Sequence, residues 1–64
     1  MTKIIHRDAP DFFKVWRLAD KMAQYGLRVV TVLRNDYGSW SVLSEAPVDL
    51  DPSEFDRYLE RSKA

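Results

Sequence analysis

The chain contains no cysteine, which excludes a disulfide framework, a thiolate metal centre and a thiol nucleophile together. In 64 residues that absence matters, because a domain this small buries only about 60% of its unfolded surface. Such a core rarely supplies more than roughly 3–5 kcal/mol of net stability. Packing, an oligomer interface, or both must hold the fold. Histidine is nearly as scarce. His6 stands alone between Ile5 and Arg7, and one imidazole without a second histidine or a thiolate at ligand spacing does not make a metal site. A surface or strand-end role is the expectation for it.

Glycine is limited to Gly26 and Gly38, both at expected turns, so no glycine-rich loop exists to cradle a phosphate. Long apolar runs are missing as well. The longest uncharged one, residues 29–33, is far too short to span a bilayer. The first residues offer two adjacent aliphatics before charges resume, which does not form the apolar region of a secretory signal. A cytoplasmic location, away from any membrane, is the expectation.

Net charge is absent too, but the zero hides a pattern. Residues 1–34 hold seven Lys/Arg against three Asp/Glu, whereas residues 35–56 hold six acids and no base. Segregation of this kind lets neighbouring elements attract one another. It also disfavours a globally basic nucleic-acid binder, since phosphate affinity rests on local cation density.

What is present fits a single compact domain over residues 1–64. Apolar residues make up 45% and charged residues 31%, the balance of an ordinary globular domain and far from a disordered one. No repeat, linker or low-complexity tract interrupts it. The β-branched pair Ile4 and Ile5 marks a short strand over residues 3–6. Asp8 is placed to cap the following helix, with Pro10 in its first turn and Asp11 complementing the dipole.

That helix is predicted over residues 9–25. On a wheel of about 100° per residue, Phe12, Val15, Trp16, Ala19, Met22 and Ala23 share one stripe. Lys14, Arg17, Lys21 and Gln24 lie opposite, as a solvated side. Phe13 falls beside Trp16 but outside the stripe, a second and smaller candidate contact, and Leu18 lies off its other edge. Gly26 is the expected left-handed stop. A second helix starts near Pro52, with Asp51 as its cap and Glu54 three residues on, as in a capping box. Phe55, Tyr58 and Leu59 form its apolar stripe, and Arg57, Arg61 and Lys63 complement its C-terminal end.

Residues 27–44 carry the most information. They read as a β-hairpin with Asn35, Asp36, Tyr37 and Gly38 at the tip. Asn and Gly at these positions suit a type I turn followed by a left-handed glycine bulge. This loop pairs Arg34 with Trp40, whereas a four-residue loop would pair Leu33 with Trp40 and turn the tryptophan to the other face. With the bulged loop, Leu27, Val29, Thr31, Leu33 and Leu43 form the face expected under the helices. Arg28, Val30, Val32, Arg34, Trp40 and Val42 form the other. The fold class is α+β: a small β-α-β-β-α domain, with an antiparallel hairpin, a short N-terminal strand, and two helices packed on one face of the sheet.

No motif specifies a chemistry. His6 with Ser39, Ser41 or Ser44 and an aspartate matches a catalytic triad only in composition, since no strained turn presents any of the serines. A domain this small also has little room for a water-excluding pocket. No enzymatic activity, cofactor or metal is expected. The apolar outer face rimmed by arginines points instead to protein–protein binding through Arg28, Val30, Val32, Arg34, Trp40 and Val42. A homodimer, or occlusion of a larger protein, is the expected mode. In type, the chain is similar to small accessory proteins of phages and mobile elements. The alternative is single-stranded nucleic-acid binding, in which Arg28 and Arg34 contact phosphates and Trp40 stacks on a base.

Overall fold

The computed structural model describes residues 1–61, so Lys63 lies outside the described residues. The elements run β1 (Thr2–Ala9), α1 (Phe12–Gln24), β2 (Arg28–Arg34), β3 (Trp40–Pro47) and α2 (Pro52–Arg61). The three strands form one antiparallel sheet of order β1-β3-β2, with the last strand of the hairpin at its centre. Both helices lie on one face of it. Val15, Ala19 and Met22 of α1 and Phe55 of α2 share one core with Ile5, Ala9, Val42 and Ala46 of the sheet.

β1 is longer than the aliphatic pair implies. It pairs with β3 without interruption from Thr2 opposite Pro47 to Ala9 opposite Trp40. Asp8 therefore belongs to the strand, and it is Asp11 that caps α1, accepting from the Lys14 amide at 2.8 Å. At the other end of α1 the Gly26 amide donates to Ala23 and the Leu27 amide to Met22, with Gly26 at φ 102°. This pattern satisfies the last carbonyls and sets buried Leu27 against buried Met22. In α2 the Asp51 carboxylate accepts from the Ser53 amide, as the Asp-Pro start requires.

The hairpin loop is the bulged one. The Asn35 amide donates to Ser39 O, the Gly38 amide donates to Asn35 O, and Gly38 sits at φ 87°. Arg34 accordingly faces Trp40. Of the face expected under the helices, however, only Leu27 and Val29 lie there, while Thr31, Leu33 and Leu43 lie on the outer side. Val42 and Ala46 are fully buried beneath α1, while Leu33 is exposed. The cause is a second irregularity, a bulge at Val30 between the pairs Val29–Ser44 and Thr31–Leu43. One extra residue inverts the alternation along a strand. Leu27 and Val29 face the helices before the bulge, and Val32 and Arg34 do so after it.

α1 is also rotated from its expected seat. Its buried line is Val15, Ala19 and Met22, with Leu18 packed against the core. Phe12 and Trp16 stay more than half exposed. The helix is turned toward Leu18, the side on which Leu59 of α2 lies. The large rings are left on the far side, where no second helix covers them.

One core position works against the fold. Ser44 lies on the helix side of β3 between Ile5 and Val29, fully buried. Its Oγ has no hydrogen-bond partner among the described residues. A buried hydroxyl without a partner costs about 1–3 kcal/mol of desolvation. Ser44→Ala should therefore stabilise the domain by about 1 kcal/mol, raising Tm by roughly 5 °C for a chain of this length. An unchanged Tm in a thermal melt would show that the hydroxyl carries no net cost, and a lower one that it contributes to stability.

Candidate functional site

The six residues expected to form one outer patch are divided by the bulge. Val42 is fully buried, and Val32 and Trp40 pack against the core on the helix side. Arg28 lies on the outer face, with its guanidinium 3.9 Å from Glu45. Val30 stands half exposed at the bulge. Arg34 and Trp40 sit together at the end of the sheet, on the helix side. Arg28 is thus separated from Arg34 and Trp40, and the three do not share a surface. The outer face that remains carries Ile4, Leu43 and Leu33 on a diagonal across the three strands, with polar residues beside them.

Its polar members form one network. Ser41 Oγ donates to Asp8 Oδ1 at 2.6 Å and accepts from Asn35 Nδ2 at 2.9 Å, and His6 Nε2 lies 3.1 Å from the same Asp8 oxygen. This unites a serine, an aspartate and a histidine, but in an order unlike a charge relay. The carboxylate stands between the other two, so the imidazole is not positioned to take the serine proton. Ser41 is also only 2% exposed. What the network does is tie the hairpin tip to β1. Among the described residues no three His, Asp or Glu side chains converge as a metal site would need, and no helix is long and apolar enough to cross a membrane.

The exposed aromatic rings lie on one flank of α1. Phe12, Phe13 and Trp16 are 55%, 76% and 51% exposed, and Trp40 supports them from the sheet. The Phe12 ring meets Trp40 edge-on at 5.2 Å and Trp16 at 6.1 Å. By ordinary ring sizes these three side chains leave roughly 400 Å² open to water. A contiguous apolar area of that size on a small soluble domain is often functional. Arg17 and Asp20 border it. In the sequence, only the position of Phe13 beside Trp16 signalled this patch. Phe12 and Trp16 read as core because their spacing matches the stripe.

No protein-family model, curated protein or solved structure matches this chain. The functional reading therefore rests on its own residues.

The opposite flank of α1 differs in character. Lys14, Arg17 and Lys21 run along it at one-turn spacing, above a groove floored by Leu18 and by Leu59 of α2. Arg7 reaches the same groove from β1. Its guanidinium is held by Asp56 at 3.0 and 3.2 Å and lies 5.8 Å from the centre of the Phe55 ring.

Proposed function

We propose that this chain is a non-enzymatic interaction protein that binds other protein surfaces through the aromatic flank of α1, with a second copy as its first partner. The observation that carries the reading is the exposure of Phe12, Phe13 and Trp16 as one patch. Aromatic rings exposed together lose little conformational entropy on docking and bury much area, which is why tryptophan and tyrosine recur as interface hot spots. The patch is also self-complementary. It is bordered by one cation and one anion, Arg17 and Asp20. Antiparallel pairing of two α1 helices brings each arginine toward the aspartate of the other copy. Occlusion of a larger protein is the same chemistry with a different occupant.

An area of roughly 400 Å² per copy is well below the about 800 Å² of a standard interface. The dimer is therefore weak and reversible. Sedimentation velocity is expected to show a concentration-dependent shift from monomer to dimer in the high-micromolar range. The shift is lost in Phe13→Glu combined with Trp16→Glu, while circular dichroism stays native because both side chains are already more than half exposed. A wild type that remains monomeric throughout, or a dimer indifferent to these substitutions, would refute the reading.

One observation favours a second reading, single-stranded nucleic acid. Arg34 faces Trp40 across the strands, and Trp40 touches Phe12, so one cation and several rings meet at one rim. That reading predicts salt-dependent binding of oligothymidylate, weakened by Arg34→Ala. No binding at low salt removes it.

A further inference from the structure

The cationic flank of α1 is a second surface, which meets the aromatic patch at Arg17. At 3.6 residues per turn, Phe12, Trp16 and Phe13 lie to one side of the buried line through Val15, Ala19 and Met22. Leu18, Lys14 and Lys21 lie to the other side, and Arg17 stands at the crest. The groove below these cations is lined by Ala9, Pro10, Leu18 and Leu59, with Asp8 of β1 as its one carboxylate. Arg7 closes one end but is already engaged by Asp56. Among the described residues no carboxylate comes within ion-pairing distance of Lys14, Arg17 or Lys21. Positive charge is therefore concentrated along one edge of an apolar trough.

We propose that this groove binds an acidic amphipathic segment of a partner protein, with apolar side chains on Leu18 and Leu59 and carboxylates along Lys14, Arg17 and Lys21. Charge complementarity names the sign of the partner, and the floor names its class. A phosphodiester backbone has no apolar side to lay in the trough, and the rings on which bases would stack all lie on the opposite flank of α1. A peptide helix with carboxylates along one edge satisfies both features at once. Exposed ion pairs of this kind set orientation and association rate more than affinity. Binding is accordingly salt-sensitive and moderate in strength.

The test uses the full chain and a fluorescein-labelled peptide of two heptads, with leucine at positions a, d and e and glutamate elsewhere. A matched peptide carrying lysine in place of glutamate, and oligothymidylate, serve as comparison probes. Fluorescence anisotropy at low salt is expected to show binding of the glutamate peptide alone. Combining Lys14→Glu with Lys21→Glu should weaken it by at least about tenfold, the sum of a few exposed ion pairs, and transfer preference to the lysine peptide. Lys14→Gln with Lys21→Gln gives a smaller loss in the same direction and guards against misfolding of the charge-reversed variant. The Phe13→Glu, Trp16→Glu variant should still bind, so failure of the dimer and failure of this groove are separable. The proposal is overturned if no probe binds, if the glutamate peptide is lost from the aromatic variant but not from the lysine variants, or if oligothymidylate binds and the peptide does not.

Discussion

Replacing Phe55 by alanine is expected to leave most of the protein unfolded at room temperature. Phe55 is the one buried residue of α2, and it is wholly enclosed. Tyr25 packs against its ring at 5.3 Å and the Arg7 guanidinium lies 5.8 Å from its centre. Phe→Ala changes in cores cost about 3–5 kcal/mol, which equals the whole net stability expected of a cysteine-free domain this small. The remaining attachments of α2 are weaker. Among them are the partly exposed Arg7–Asp56 pair, the Tyr25–Tyr58 contact at 4.8 Å, the packing of Leu59 at the edge of the core and, just before the helix, the bond from Lys3 Nζ to Leu50 O. Far-UV circular dichroism and a urea titration read the outcome, and Phe55→Leu should retain a cooperative transition. A Phe55→Ala protein with a midpoint near wild type would show that α2 is dispensable to the core.

The order of elements was legible because each rests on local chemistry. Gly26 ends α1, Asp51 with Pro52 starts α2, and the run Asn35 to Gly38 marks a compact turn. These signals act over four or five residues, and no distant contact is needed to read them. The turn even set the pairing of Arg34 with Trp40 correctly. What it did not set was the face, because that depends on Val30, where the chain inserts one residue against β3. Nothing in Val29-Val30-Thr31 distinguishes a bulged strand from a regular one. All three are β-branched and equally at home in either.

The aromatic patch was hidden for a related reason. A helical wheel finds the most apolar stripe, and Phe12 and Trp16 dominate any such stripe through size alone. The burial actually chosen favours smaller side chains, Val15, Ala19 and Met22, with Leu18 at the margin. Three strands and one neighbouring helix offer a shallow seat. It accommodates these residues and leaves the larger rings outside. The seat of α1 on the three strands is a tertiary fact that no local pattern in α1 contains.

The face assignment itself yields the second large effect. Val42→Asp is expected to abolish folding, whereas Leu33→Asp should cost less than about 1 kcal/mol, as substitutions at exposed positions do. Val42 is fully buried at the centre of the central strand, with Arg7 and Val32 as its lateral neighbours. A carboxylate placed there loses its hydration. The one cation beside it, Arg7, is already committed to Asp56. The penalty for an incompletely paired buried charge is several kcal/mol, which exceeds what the domain has to lose. Leu33 lies on the outer side of the edge strand and is 41% exposed, so its carboxylate remains in water. Urea midpoints of the two variants, measured side by side, check the assignment. If Leu33→Asp unfolds the protein and Val42→Asp does not, the bulge at Val30 is misplaced, and the helices cover the opposite face of the hairpin.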